Sequence, residues 1–284
     1  MRVARHDILA RVTTHLLDAL WRDYVASTPQ AERIHRLLAA RGERIRNDHI
    51  ALRTYGGPIG LDALAAPFEA LGWAPRDRYR FDDKHLDARY WQHADPTLPK
   101  VFISELVLAE LSPRANAIIA RLIAQLPEGF AARADLPYAG RPWTIAYADY
   151  ATLLEESEYA AWVAAFGFRV NHFTVDVSSL STFPDLEALD AFLVEHGFAL
   201  NVSGGMVKGS QAERLEQSST LADAIDVAFS DRTVRIPSCY YEFARRYPLP
   251  SGELFQGFVP ASADKIFEST DVRRYGSVPT RVEK

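Results

Sequence analysis

The chain has 284 residues, 48% of them hydrophobic and 24% charged, with a formal net charge of −5 and a single cysteine, Cys239. This length can bury a substantial core, as one large or two small domains. The acidic balance gives no attraction for nucleic acid or an anionic membrane, no apolar run reaches the length of a membrane span, and one cysteine excludes an internal disulfide and any cysteine-rich zinc site.

The N-terminus starts basic but carries Asp7 and Asp18 within an amphipathic pattern and has no small-residue cleavage site, so the expectation is a cytoplasmic enzyme and not a secreted one. Ile8, Leu9, Val12, Leu16, Leu17, Leu20 and Tyr24 recur at three- and four-residue steps and predict a first helix. Ser27-Thr28-Pro29 starts a second, which carries Ile34, Leu37 and Leu38 and stops at Gly42. From Asn47 the pattern alternates. Ile50 and Leu52 share one face of a strand, and His49, Ala51 and Arg53 share the other. A helix with Leu61, Leu64, Phe68 and Leu71 follows, with Pro67 inside it, and then two or three strands ending in Val101–Val107.

The same order returns later in the chain. Val170–Asp176 reads as a strand, Pro184–His196 as a helix ended by Gly197, and further strands lead to Ser238–Phe243. Asp48-His49-Ile50 aligns with Asn171-His172-Phe173, and Leu61-Asp62-Ala63-Leu64 with Leu186-Glu187-Ala188-Leu189. The expectation is an α+β fold in which two βαβββ modules form a half-open barrel, preceded by N-terminal helices and joined by a helical connection. The divisions are 1–42 for the first helices, 47–111 and 169–247 for the modules, 112–168 for the connection with two helices around a Pro-rich stretch, and 248–284 for a C-terminal segment, all in one domain.

In such a duplication His49 and His172 project inward from equivalent first strands, and Glu105 and Glu242 are the expected pair on equivalent last strands. A lone inward histidine is more often a hydrogen-bonded core residue, and a buried strand glutamate needs an ion or a cation as partner. Their symmetric placement favours a shared divalent metal. Two His and one carboxylate on one face suit non-haem Fe(II) with open positions for substrate and O₂. Arg53, on the His49 face, needs a carboxylate from a ligand, from Glu105 or from Asp176. The other six histidines, His6, His15, His35, His85, His93 and His196, fall in helical or loop contexts. Gly204–Ser210 is glycine-rich but opens no helix after a strand, so it reads as a hairpin or a covering loop and not as a nucleotide site. Gln217, in Leu215–Thr220, is a candidate substrate contact.

Several of these segments together resemble the 2-oxoadipate dioxygenase/decarboxylase family, whose fold is similar to the vicinal-oxygen-chelate superfamily and hydroxymandelate synthase. The segments are Asp48–Thr54, Asn171–Thr174, Val207–Ser210, Leu215–Thr220, Tyr241–Arg246 and Gly257–Thr270, and the likeness runs from about Ile8 to Ser277. The chain looks like a shorter form of that family. The resemblance implies Fe(II) held by His49, His172 and Glu242, with Arg53, four residues after the first His, on a substrate carboxylate. Lys208, or the backbone around Val259–Ser262 with Ser262 itself, is the alternative reader of the far carboxylate. The implied reaction is oxidative decarboxylation of 2-oxoadipate with O₂ to 2-hydroxyglutarate and CO₂, a step of lysine breakdown. Two alternatives accompany it. One is a redox-silent Zn or Ni lyase or isomerase with Glu105 as fourth ligand, and the other is a non-catalytic small-molecule binder.

Overall fold

β1 (Asn47–Tyr55) is buried along nearly its whole length, which the alternating pattern by itself does not require. A strand buried on both faces belongs in the middle of a sheet that has helices on one side and a filled interior on the other. A computed structural model describes residues 2–270, with side chains from Asp7 onward, and puts β1 in that central place. The parts of the expected C-terminal segment and family likeness beyond Thr270 lie outside the described residues.

The first module runs from β1 through α3 (Leu61–Glu69), β2 (Ala74–Phe81) and β3 (Leu86–Gln92) to β4 (Lys100–Leu106). The second runs from β5 (Val170–Asp176) through α7 (Leu186–Glu195), β6 (Lys208–Ser210) and β7 (Leu215–Ser219) to β10 (Glu242–Arg246). Together they form one curled eight-stranded half-barrel in the order β2-β3-β4-β1-β5-β10-β7-β6. Within each module the first and last strands pair in parallel, and the modules meet along the antiparallel pair β1 and β5. A separate hairpin of β8 (Ala224–Ala228) and β9 (Thr233–Pro237) is inserted before β10. It accounts for the extra length of the second module.

α1 (Arg2–Ser27) and α2 (Pro29–Ala40) match the two expected helices, with Pro29 at the start of α2 where its missing N–H costs nothing. Only the later part of the α1 stripe is covered: Ile8, Leu9 and Val12 are exposed, whereas Leu20 and Tyr24 are fully buried. The connection holds three longer helices where two were expected: α4 (Pro113–Ile123), α5 (Tyr147–Glu156) and α6 (Glu158–Phe166). The expected strand Ser238–Phe243 begins only at Glu242: Ser238 and Cys239 pair with Asp223 at the hairpin's base, and Tyr241 with Thr220, just past β7. α8 (Pro260–Phe267) touches β2 at one edge of the sheet and β6 and β7 at the other, so it lies across the concave face.

Candidate metal centre

The register of three central strands assembles the site. Across β1 and β5, His49 faces Thr174 and Ala51 faces His172; across β5 and β10, Glu242 faces Thr174. His49, His172 and Glu242 are all buried, and one donor atom from each lies within 4.8 Å of the other two. His49 Nε2 is 3.5 Å from Glu242 Oε1 and His172 Nε2 is 3.1 Å from Glu242 Oε2, with the two imidazole planes at 84°. Donors about 2.1 Å from one ion and at right angles to each other lie about 3 Å apart, so this spacing fits a single metal.

The other ring nitrogen of each histidine is held by the residue before it. His49 Nδ1 is 2.8 Å from Asp48 Oδ1, and His172 Nδ1 is 3.0 Å from Asn171 Oδ1. These partners fix the ring orientations and turn both Nε2 atoms toward Glu242, with Thr174 Oγ1 also 3.0 Å from His49 Nε2. Asp48 is itself clamped by Arg246, whose Nε and Nη2 donate to its two oxygens at 2.6 and 2.9 Å. Although burial works the other way, Arg246, His49 and Lys100 hold the Asp48 carboxyl well below its usual range. Burial lowers the His172 pKa, with help from His49 and Arg53, so its imidazole stays neutral and able to donate a lone pair.

Burial also raises the Glu242 pKa, only partly offset by His49 and by the Gln217 side-chain amide, which donates to Glu242 Oε1 at 2.7 Å. A buried carboxylate with no Lys or Arg bonded to it is costly without a cation. That charge deficit and the donor set together fit a divalent metal. Gln217 Oε1 is buried with no hydrogen-bond partner, and the residue lines the same pocket. The remaining wall is apolar, formed by Phe102, Phe258, Ala263, Ile266 and Phe267. Its free volume is about 20 Å³, room for about one water molecule.

Glu105 is not in this site. It accepts the Leu61 backbone N–H at 2.8 Å, and it packs so closely on Gly60 that a Cβ there would collide with its carboxylate. It therefore faces α3. Register gives the reason: Ala51 pairs with Phe102 on β4 as Thr174 pairs with Glu242 on β10, so Phe102 is the counterpart of Glu242. The expected equivalence of Glu105 and Glu242 is wrong by three residues. With it goes the fourth ligand of the redox-silent alternative.

Arg53 is buried beside the pocket, and its partner is neither Glu105 nor Asp176. Its Nη1 donates to the two Glu158 oxygens at 3.2 and 3.4 Å and its Nη2 to Thr270 Oγ1 at 3.2 Å. The rings of Tyr159, Trp162 and Phe267 surround the guanidinium. Lys208, opposite Gln217 in the β6–β7 register, is also buried; its ammonium donates to the Asn201 and Met206 carbonyls, and burial pushes its pKa down to about 8. Ser262 is buried in the first turn of α8, next to Gly209. Of the expected substrate contacts, only Gln217 lines the metal pocket.

Sequence reasoning passed over Asp48 and Asn171, although an Asx residue before each histidine was visible in the alignment of the modules. It also passed over Tyr240, which stacks on His172 with ring centroids 4.6 Å apart, and Phe258, whose ring stands edge-on to His49 at 4.9 Å. Neither has a sequence signal beyond being aromatic.

The sequence profile of 2-oxoadipate dioxygenase/decarboxylase matches residues 13–136 and 140–253. The Oryza sativa subsp. japonica protein named 2-oxoadipate dioxygenase/decarboxylase, chloroplastic/amyloplastic, is 36% identical over 87% of this chain and 75% of its own length. The crystal structure of the Oryza sativa hydroxyglutarate synthase in complex with 2-oxoadipate superposes with a TM-score of 0.85 at 33% identity, covering 92% of each chain. A Shewanella frigidimarina protein with a provisional hydrolase label is 48% identical, with a TM-score of 0.84 over 87% of this chain and 98% of that one. Profile, curated relative and structural neighbour agree with the geometry of the site: the chain belongs to the 2-oxoadipate dioxygenase/decarboxylase family.

Proposed function

We propose that this chain, as one catalytic domain, converts 2-oxoadipate and O₂ to 2-hydroxyglutarate and CO₂, using Fe(II) held by His49, His172 and Glu242. The equation balances with one O₂ and no further oxidant. The observation that carries the reading is the buried three-donor cluster, whose fourth symmetric position is a phenylalanine. Three protein donors leave coordination positions free for a chelating substrate and O₂, as an oxygenase needs.

Iron(II), when bound there, supplies the redox chemistry that couples O₂ cleavage to oxidation of the 2-oxo acid. The rest falls to the chain. Asp48 and Asn171 keep both imidazoles aimed, and the neutral His172 remains a donor. Gln217 orients Glu242 through its N–H and keeps one oxygen free to accept a hydrogen bond in the pocket. Phe102, Phe258, Ile266 and Phe267 keep water from the reacting carbons.

Arg53 lies about 13 Å along β1 from His49, at ~3.3 Å per residue. Phe267 packs on its guanidinium and also lines the metal pocket, so the arginine stands beside the metal site. We assign to it the far carboxylate of a six-carbon diacid. No helix among the described residues is long and apolar enough to cross a membrane. Cys239 is buried as a free thiol, which suits a reducing compartment such as the cytoplasm.

Anaerobic loading with Fe(II), Zn(II) or Ni(II), followed by O₂ and a panel of C4–C7 2-oxo acids, tests the proposal. Iron alone should support O₂ uptake matched by CO₂ release, fastest with 2-oxoadipate. Turnover with zinc or nickel and no O₂ uptake would overturn it.

A further inference from the structure

Beside the metal pocket lies a second cavity of about 210 Å³, lined by Arg53, Lys84, His85, Glu158, Phe267 and neighbouring residues. Phe267 borders both spaces. The metal pocket, at about 20 Å³, is far too small for a six-carbon diacid, so a diacid that also meets Arg53 needs the space of the larger cavity. The Arg53 guanidinium, however, is already engaged by an anion of the chain. Glu158 meets a single guanidinium nitrogen at 3.2 and 3.4 Å, longer than the 2.7–2.9 Å usual for charge-assisted bonds and without a two-pronged match. Arg53 Nε is buried with no acceptor at all. Arg53 is therefore under-satisfied by its partner.

Glu158 can leave and Arg53 cannot. The arginine side chain is 1% exposed and held among three aromatic rings, whereas that of Glu158 is 15% exposed and borders the open cavity. Glu158 is the first residue of α6 and directly follows Ser157, an extended residue that separates α5 from α6. Its side chain can swing into the cavity without breaking the helix, which Ser157 caps through the Ala160 N–H.

We infer that Glu158 is a built-in stand-in for the substrate: its carboxylate occupies Arg53 in the free protein and is displaced by the far carboxylate of the incoming diacid. This rests on Arg53 being the reader of that carboxylate. Two carboxylates on one guanidinium nitrogen repel each other, so Glu158 sets a threshold for binding. A diacid replaces the ion pair it breaks. A monoacid gains nothing from breaking it and leaves Glu158 where it is. Glu158 thus acts through Arg53, as a positioning residue that sets diacid affinity.

The test is Glu158→Gln, isosteric and still able to accept a weaker hydrogen bond from Arg53. Removing the competing charge should lower the KM for 2-oxoadipate about ten-fold, since a charge-assisted bond exceeds a neutral one by about a factor of ten in equilibrium constant. The kcat, and the KM for 2-oxohexanoate, should stay within two-fold. Calorimetry on the metal-free protein with adipate and hexanoate gives a readout independent of turnover: adipate should bind tighter to the variant and hexanoate should not. If the Gln variant does not fold, Glu158→Asp, which keeps the charge but withdraws it by one methylene, should show the same change in smaller measure. Unchanged or weaker diacid binding, while Arg53→Met still abolishes the diacid preference, would overturn the stand-in and leave the role of Arg53 intact. If Arg53→Met keeps the preference, the assignment of Arg53 falls, and the stand-in with it.

Discussion

The first module, β1 to β4, and the second, β5 to β10, place an Asx-His pair at the same point of their first strands, yet their last strands differ. At the position facing both histidines the second module offers Glu242 and the first offers Phe102. The difference extends outward. The inner face of the first half continues into an aromatic cluster of Tyr79, Tyr90, Phe102 and Phe258, while that of the second continues into Gln217 and Lys208. One half is the dry wall of the pocket and the other carries its polar groups. A symmetric duplication would make a four-donor site, with two His and two Glu closed around the ion. Losing one carboxylate to phenylalanine opens the site on one side and makes that side apolar.

Breaking the shared part of the comparison should have the largest effect. His49→Ala, His172→Ala and Glu242→Ala each remove one of three donors, and each should leave iron well below one equivalent and O₂ uptake undetectable. Folding should survive, because open catalytic sites are less often needed for folding than closed structural ones. A variant that keeps both iron and activity would remove that residue from the site.

Restoring the missing symmetry should come next. Phe102→Glu supplies the carboxylate that the first module lacks. It should retain the metal while cutting O₂-dependent turnover by a factor of ~100, as a fourth protein donor takes an open position. Phe102→Leu, which keeps the wall apolar and the position open while shrinking the side chain, should lose less than a factor of ~10. Wild-type O₂ uptake in Phe102→Glu would mean that this position does not face the ion.

Much of this architecture was legible in the sequence. The histidines, the helices that follow each first strand and the duplicated order emerge from period and punctuation alone. The Glu105 error shows what strand periodicity leaves open. With little identity between β4 and β10, alignment by residue type shifted the register by three, an odd number, and an odd shift moves a side chain to the opposite face of the sheet. Pairing with β1 and β5 settles the register, and that is a tertiary fact. The Arg53–Glu158 pair was illegible for another reason. The two residues are 105 positions apart, and Glu158 lies in a connection whose helices carry no feature aimed at the barrel.

The histidine supports differ between the halves in charge, and so should their loss. Asp48 is ionised and clamped by buried Arg246, whereas Asn171 is neutral. Asp48→Asn should weaken metal binding by ~10–100-fold and also destabilise the fold by about 3–5 kcal/mol, because Arg246 is left buried without its counter-charge. Asn171→Ala should cost metal affinity to a similar degree but only about 1 kcal/mol of stability. Urea unfolding of the metal-free variants separates the two. Equal destabilisation would show that Arg246 finds another anion.

The smallest expected effect lies behind the sheet, where the helices of the two modules also differ. In the alignment of α3 with α7, buried Ala65 is the counterpart of buried Asp190. Burial raises the Asp190 pKa to about 7, against the hydrogen bond from Ser218 Oγ at 2.6 Å and the attraction of Lys208, and its other oxygen has no partner. The sign follows from proton counting. Between the unfolded value, near 4, and 7 the folded chain holds a proton on Asp190 that the unfolded chain has released, so stability falls as pH rises through that window and stays low above it. Asp190→Asn keeps an acceptor for Ser218 and cannot ionise. It should match wild type near pH 4 and exceed it at pH 8 by about 4 kcal/mol, at 1.36 kcal/mol per pKa unit. Unfolding free energies at pH 5, 6, 7 and 8 give the comparison, with metal absent so that the histidines contribute equally to both proteins. If wild type and variant run parallel across that range, Asp190 is ionised throughout, and the polar character of the second module reaches through the sheet into its helix layer at no cost in stability.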